Sequence, residues 1–512
     1  MKLQYVNILY KSYLSLCRAS ALPGGLKPMK KLSEFLQLLA PIQVLNDADS
    51  DITGIACQPE AVRPGCLYGV IDEFLEYGHW IEGARLLDEA LLTPVNALLT
   101  EQPLPYPLPQ LLVPDARKAL ARAARFFYDQ PDLALQTVGV TGTNGKTTVT
   151  HLLDQWLSAC GKSTAALGTL GLYEGGQYRQ DTVYTTPLAP TVFALLQQLR
   201  SAGVQVVAME ISSHALKLDR VFGLDVDVAV FTNLSRDHLD FHGTMEDYQA
   251  AKLSLFTGLK AAAMAVVNSD DAFGQEIVRQ ATAPVLSYGF AETAELQAVA
   301  VDYSLQGAHL KIRYGSQTVQ FDSALVGRFN VYNLLAALGA CLALGVPLEV
   351  LAANSAVLHG VPGRLQRVAL PDGRVGIVDY SHTPDALEKV LQTLRALKPG
   401  RIITVFGCGG NRDKGKRPLM GAVAARASDL CVVTSDNPRR EEPLAIIGDI
   451  LTGMPAHGVL VEPDRRNAIH QAFALSQPGD VILVAGKGHE PYQIVGDRKL
   501  PFSDREELQC LS

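Results

Sequence analysis

The chain has 512 residues, too many for one hydrophobic core, because cores stop growing at roughly 250 to 300 residues and longer chains divide; two or three domains are expected. Hydrophobic residues at 48% and charged residues at 19% describe a compact protein without extended disorder, and 45 Lys and Arg against 52 Asp and Glu leave a net charge of −7, which excludes a general basic field for a nucleic-acid backbone. No apolar run approaches the roughly 18 residues a membrane helix requires, and the eight scattered cysteines, without a CxxC pair, point to a reducing compartment rather than a disulfide framework or a zinc cage.

In chain order, residues 1–28 mix Lys2, Lys11 and Arg18 with apolar residues but lack a signal-peptide core, so they are expected to be a tail or an over-extended start. Met29 opens a cleaner amphipathic stretch, MKKLSEFLQLL. An N-terminal domain is expected over 29–116, with a boundary near the stretch QPLPYPLPQLLVP (Gln102 to Pro114), whose prolines disfavour both helix and central strand. Beyond it, short β-branched runs ending in Gly- or Asp-containing turns alternate with helical patterns, the signature of an α/β architecture with parallel sheets. The remainder divides into a central domain, 117–360, and a C-terminal domain, 361–512.

Seven of these strand ends carry polar motifs. TVGV leads into TGTNGKTT, VQVVAM into EISSHA, VDVAVF into TNLSRDH, GIVDY into SHTPDAL, RIITVF into GCGGNRDKGKRP, LCVVT into SDNPRREEP and DVILVAG into KGHE. Ligands of open α/β sheets bind outside the carboxyl ends of strands, so the pattern predicts sites fed by two such sheets. The first motif, GVTGTNGKTT (Gly139 to Thr148), reads as strand end, glycine loop and helix start. Small residues from Gly142 through Thr143, Asn144 and Gly145 let backbone N–H groups approach phosphate oxygens; Lys146 can reach the terminal phosphates, Thr147 can hold Mg²⁺, and Thr148 follows in the first turn. The strict phosphate-loop pattern has glycine where Val140 stands, and the reading is nevertheless an ATP site.

This loop and the blocks after it resemble the Mur ligases and their relatives the folylpolyglutamate synthetases over roughly Val138 to the C-terminus. The blocks are MEISSHAL (Met209 to Leu216), FTNLSRDHLDFHGTMEDYQAAK (Phe231 to Lys252), GRFNVYN (Gly327 to Asn333), VDYSHTPDAL (Val378 to Leu387), GCGGNRDKGKRPLM (Gly407 to Met420), DNPRREEP (Asp436 to Pro443) and GKGHE (Gly486 to Glu490). Chance agreement at so many ordered blocks is negligible. The resemblance implies a three-domain α/β protein with a central, mostly parallel P-loop ATPase-like sheet and a C-terminal Rossmann-like domain. It also implies an enzyme that uses ATP and Mg²⁺ to phosphorylate a carboxylate and then joins the acyl phosphate to an amine.

Within that resemblance Lys146, Glu210, His238 and Lys252 carry catalysis, Thr147, Glu210 and His238 hold Mg²⁺, and Lys252 is carbamylated by CO₂ (N6-carboxylysine). A lone glutamate at a strand end is ordinarily a solvated turn residue and a lone histidine a structural one; here both stand inside matching blocks. Asn333, Asp379, Arg364 and His382 match positions that contact adenine, ribose and the phosphates. Thr185, Thr186, Ser212 and Arg220 match positions that contact a UDP-muramoyl dipeptide. The block DNPR (Asp436, Asn437, Pro438, Arg439) implies diaminopimelate as the incoming amine, since Arg439 and Arg412 can bind its second carboxylate, Asp436 and Glu490 its second ammonium, with Asn437 and Gly486 lining the site. Lysine has no such carboxylate.

The implied protein is cytoplasmic and monomeric, with small-molecule partners only, neither nucleic acid nor membrane. Two departures are visible: Leu218 stands where relatives often carry glutamine, and the Asp-Ser-Arg block expected before a Pro-Gly turn is replaced by ACQPEAVRPGCLYGVI (Ala56 to Ile71), which puts the uridine contacts in question. The alternatives are a related amide ligase taking lysine or another carboxylate donor, and a non-catalytic nucleotide-binding relative. The latter is expected to have lost Lys146, Glu210, His238 or Lys252, and all four are present.

Overall fold

The computed structural model describes residues 28–46, 48–75, 79–87, 89–397, 399–455 and 458–511; apart from Pro28, the expected tail lies outside them. Two compact units are present, one formed by the chain up to Gln297 with Leu334–Asn354, the other by Ala298–Asn333 with Ser355–Ser512. Among the described residues no helix is long and apolar enough to cross a membrane.

In the first unit the amphipathic stretch after Met29 forms the helix Leu32–Leu39, with the Lys31 amide donating to the Glu34 carboxylate and Leu32, Phe35 and Leu39 buried at helical spacing. A five-stranded sheet follows, ordered Gln43–Leu45, Gln110–Leu112, Val95–Thr100, Cys66–Gly69 and Gly54–Ala56. The proline-rich stretch lies within this sheet, as the connection between the parallel neighbours Val95–Thr100 and Gln110–Leu112. Buried Gln110 fastens it: its amide oxygen accepts from the Leu104 amide at 2.9 Å and its NH₂ donates to the carbonyls of Leu104 and Tyr106, supplying partners that the prolines cannot.

The large sheet of this unit runs in the order Gln177–Gln180, Gly171–Glu174, Thr164–Gly168, Val206–Glu210, Gln136–Thr141, Val228–Phe231, Met264–Asn268 and Val285–Gly289, with Leu296 and Gln297 pairing beyond the last. From Thr164–Gly168 onward the pairings are parallel, which explains the continuous apolar runs: a parallel strand covered on both faces has no solvent side to alternate with. Val140 lies opposite Glu210 and Thr141 opposite Phe231. The first three polar motifs therefore leave the carboxyl ends of adjacent strands inside the sheet.

The second unit contains the antiparallel pair Gly307–Tyr314 and Gln317–Ser323 and a six-stranded sheet ordered Gln366–Ala369, Val375–Asp379, Val481–Ala485, Ile402–Phe406, Leu430–Val433 and Val459–Val461. Only Gln366–Ala369 is antiparallel to its neighbour. Alternate residues of the central strands enter two cores on opposite faces, Ile402, Phe406, Leu483 and Ala485 on one and Ile403, Val405, Ile482 and Val484 on the other. The other four polar motifs leave its four neighbouring central strands. Two units thus each gather strand-end motifs, as the alternation of strands and loops predicts.

Candidate active site

In the first unit the loop after Gln136–Thr141 passes through Gly142 at φ 148° and Gly145 at φ 90°, and Lys146 begins the helix Lys146–Ala159. A Cβ on Gly142 would stand 1.9 Å from the Thr232 hydroxyl oxygen. The neighbouring strand-end loop grips the glycine loop: Thr232 Oγ1 donates to the Asn144 carbonyl at 2.6 Å, the Asn144 amide donates to Asn233 Oδ1 at 3.1 Å, and the Thr143 amide donates to the Asn233 carbonyl at 2.8 Å. Lys146 Nζ donates to the Gly142 and Thr143 carbonyls at 2.7 and 2.9 Å, folded over the loop it serves. Thr147 and Thr148 are buried in the first turn. The bent loop, the helix N-terminus and the lysine form a cradle for an anion of phosphate size.

Glu210 is buried beside that loop, accepting at Oε1 from the Thr169 amide at 2.8 Å and at Oε2 from the Thr169 hydroxyl at 3.2 Å; a Cβ on Gly168 would come within 2.1 Å of Oε1. His238 adopts a left-handed φ of 53° ahead of a short helix, with its ring 4.8 Å from that of His214. Lys252, on the helix Met245–Thr257, is 1% exposed, with Nζ 4.5 Å from the centre of the Tyr248 ring. Burial first, and then the nearby Lys146 charge, hold its ammonium well below the ordinary lysine range. Tyr248 also lies 3.0 Å from Thr143 Oγ1, so one side chain touches both the glycine loop and Lys252.

The four residues expected at the muramoyl dipeptide are together in this unit. Thr185 Oγ1 is 3.0 Å from Thr169 Oγ1, Ser212 caps the helix Ser213–Lys217, and Arg220 donates to the Thr186 carbonyl at 3.0 Å while stacking 4.3 Å from the Tyr184 ring. Thr186 differs from expectation in being fully buried: its hydroxyl donates to the Glu210 carbonyl at 2.8 Å and accepts from the Ser212 amide at 3.0 Å, so it shapes the strand-end crossing.

In the second unit, Arg364 stacks 4.7 Å from the Tyr380 ring, and His382 Nδ1 lies 2.9 Å from the Tyr380 carbonyl. Asp379 accepts from the Leu365 amide at 2.7 Å and from the amide and hydroxyl of Ser381, closing its own turn. Asn333 is buried and donates to Asn330 Oδ1 at 3.0 Å. The residues expected to read the amine cluster tightly. Gly486 stands at φ 115°, where a Cβ would meet Asp436 Oδ2 at 2.7 Å; a Cβ on Gly409 would meet Arg439 Nη1 at 2.9 Å and Arg412 Cγ at 3.4 Å; a Cβ on Gly410 would meet the Pro438 carbonyl oxygen at 1.9 Å. Asn437 donates from Nδ2 to Glu490 Oε2 at 2.8 Å.

Several residues of these clusters escaped sequence reasoning. Lys487 is fully buried and donates to both Asn437 Oδ1 and Glu490 Oε2 at 3.0 Å, so Glu490 already has a cationic partner. Arg465, also fully buried, pairs with Asp504 at 2.7 Å and donates to the carbonyls of Ser435 and Ala485, the residues just before Asp436 and Gly486. A lysine inside GKGHE is visible as sequence; its burial is not. The Arg465–Asp504 pair spans 39 positions and leaves no local signal.

The chain belongs to the Mur ligase family: residues 140–341 match the Mur ligase middle domain and residues 363–488 match the Mur ligase, glutamate ligase domain. Within that family it is similar to the UDP-N-acetylmuramoyl-L-alanyl-D-glutamate–2,6-diaminopimelate ligase of Syntrophomonas wolfei, 42% identical over 467 residues that cover 90% of this chain and 94% of the relative. The protein of the same name from Thermosynechococcus vestitus is 46% identical over 403 residues, covering 78% and 81%. A solved structure of a ligase with that name matches at a TM-score of 0.66 and 35% identity over 90% of this chain and 94% of the other.

Proposed function

We propose that this protein is the ligase that joins meso-2,6-diaminopimelate to UDP-N-acetylmuramoyl-L-alanyl-D-glutamate at the expense of ATP, giving the UDP-muramoyl tripeptide, ADP and phosphate. The observation that carries the reading is the second unit's cluster, where Arg412 and Arg439 converge at Gly409 while Asp436 and Glu490 stand among the same strand-end loops. Paired guanidinium and carboxylate groups complement an amino-acid head group at the far end of a side chain. The relatives' shared name, with coverage of 94% of one and 81% of the other, supports the same choice.

In the reaction a carboxylate oxygen of the dipeptide attacks the terminal phosphorus of ATP and ADP leaves, giving an acyl phosphate. The amine nitrogen of diaminopimelate then attacks the acyl carbon, loses a proton, and phosphate departs as the amide forms. Negative charge gathers on oxygen throughout, so cations and aimed N–H groups lower the barrier. The glycine loop from Gly142 to Gly145 and the amides that open the following helix hold the phosphates, and Lys146 swings from its two carbonyl partners to the terminal phosphate.

Buried Glu210 ends the strand beside the glycine loop, and an oxygen-rich setting of this kind suits Mg²⁺, which completes its shell with phosphate oxygens and water. Thr147, Glu210 and His238 would hold it, and it supplies charge neutralisation on those oxygens. Lys252 enters as a carbamate: its neutral nitrogen attacks CO₂ and loses a proton, placing a buried anion near the Lys146 ammonium. Thr185, Ser212 and Arg220 orient the dipeptide, with Thr186 setting the turn that presents them. Asn333, Arg364, Asp379 and His382 serve the nucleotide, and the partners are small molecules of the cytoplasm.

The test is phosphate release by the purified protein with Mg-ATP and UDP-N-acetylmuramoyl-L-alanyl-D-glutamate, comparing meso-diaminopimelate with lysine and weighing the product by mass spectrometry. Release and tripeptide with diaminopimelate alone are expected. Product with lysine instead moves the choice of amine, and ATP binding without product from either moves the donor, which is where the altered Ala56 to Ile71 segment bears.

A further inference from the structure

Resting on that reading, the geometry points to Glu441 as a positioning residue that sets diaminopimelate specificity by clasping the two loops that carry Arg412 and Arg439. The loop after Ile402–Phe406 and the loop after Leu430–Val433 leave adjacent parallel strands, but neighbouring strands alone do not fix the relative placement of two long side chains at their loop tips. Glu441 supplies the missing constraint. Its two oxygens accept from Arg417 Nη2 and Nη1, each at 3.0 Å, and Oε1 also accepts from the Asn411 amide. Arg417 is fully buried, and it reaches from the same guanidinium to the Gly409 carbonyl at 3.3 Å and to Asp449 at 2.8 Å. One carboxylate therefore holds the first loop at Asn411 directly and at Gly409 through Arg417.

The clasp is knitted further on either side. The Gly410 amide donates to the Asn437 carbonyl at 2.9 Å, Arg439 Nη1 donates to the Gly410 carbonyl at 3.0 Å, and the Arg440 amide donates to Asn411 Oδ1 at 3.1 Å. Asn411 and Arg439 both hold left-handed backbone at φ 52°, a conformation that asparagine adopts readily but that an arginine keeps where surrounding bonds fix it. Each such residue sits in one of the clasped loops, two positions from Glu441 in the case of Arg439 and one from Arg412 in the case of Asn411. The Arg417 guanidinium holds the Glu441 carboxyl down at about 2, so the clasp keeps its charge across the working range of pH.

Discrimination against lysine requires both guanidinium groups to meet one distal carboxylate, so an error in the spacing of the loops falls on diaminopimelate alone. Glu441→Gln keeps size and removes the charge; Arg417→Lys keeps the charge and removes the two-pronged bond. Both should raise the KM for diaminopimelate by about tenfold to hundredfold, the range for losing a charge-assisted hydrogen bond, and shrink the preference over lysine by a similar factor. The KM values for ATP and for the muramoyl dipeptide should stay within about twofold, and Glu441→Asp should recover part of the loss.

Amide hydrogen exchange on the same proteins reads the clasp without any substrate. Faster exchange at Gly410, Asn411 and Arg440 in Glu441→Gln, with the amides of Thr143 to Thr148 unchanged, is expected. Unchanged exchange at those three amides overturns the clasp. Faster exchange with an unaltered KM for diaminopimelate overturns its part in specificity. Absence of diaminopimelate turnover in the parent protein overturns the functional reading itself and the specificity role with it, while exchange still decides the clasp.

Discussion

Replacing Asp504 by alanine is the sharpest test of how the second unit holds its site. The Asp504 carboxylate accepts from Arg465 Nε at 2.7 Å and from Nη2 at 2.8 Å, and both side chains are fully buried. Removing it leaves a buried guanidinium that is hydrogen-bonded only to the carbonyls of Ser435 and Ala485, with the Asp436 and Glu490 charges acting on it without a direct bond. Breaking a buried pair from one side costs about 3–5 kcal/mol, a large part of the roughly 5–15 kcal/mol that a domain commands. Trp80 and Trp156, the chain's two tryptophans, belong to the first unit, so fluorescence would overlook the change. Amide exchange in the strands Leu430–Val433 and Val481–Ala485 would register it, as acceleration on the order of 10²–10³-fold, since each 1.4 kcal/mol is about tenfold. The KM for diaminopimelate should rise in parallel, because Arg465 fixes the residues preceding Asp436 and Gly486. Combining Asp504→Ala with Arg465→Met should restore most of the protection by removing the stranded charge. Acceleration under about fivefold, near 1 kcal/mol, would show that the two carbonyls and the Asp436 and Glu490 charges suffice for the buried cation and that the pair does not hold the unit together.

Gly142→Ala should raise the KM for ATP by about tenfold or more, from roughly 1–3 kcal/mol of backbone strain at φ 148° together with the approach to Thr232; an ordinary ATP titration checks it, and an unchanged KM removes the loop from phosphate binding. Lys252→Met should lower turnover by about 10²-fold or more, and intact-mass measurement of the parent protein in bicarbonate should show the added weight of one CO₂ that the variant lacks. Burial pushes His242 down to about 4, so the folded state disfavours its protonation below the ordinary value of 6.5; the stability this contributes is complete above 6.5 and is lost as pH falls toward 4. The thermal midpoint should fall over that window, and His242→Gln should flatten the fall; an identical pH profile in the variant would exclude His242 as its source.

Much of the site was legible because its chemistry is local. The glycine loop bends sharply into a helix, so Gly142 and Gly145 with Lys146 directly after them announce themselves within a few residues. Strand ends that switch abruptly from β-branched runs to polar motifs announced seven loops, and these leave the central strands of two sheets. The helix after Met29 was legible for the same reason, since its apolar residues repeat at the period of one turn. Prolines show that regular hydrogen bonding is interrupted but not that the stretch crosses within a sheet; that crossing rests on buried Gln110.

The family, the glycine loop and the polar residue types at the strand ends are written in short runs of sequence, and their spacing is enough to read them. Which groups are already engaged depends on the folded arrangement. It buries Thr186 and turns its hydroxyl inward, gives Glu490 to Lys487 and Asn437, and sets Arg465 against Asp504 and Arg417 against Glu441. Those partners lie far apart in the chain, and a charge placed in a low-dielectric interior must find its opposite wherever the fold brings one, which no local pattern records.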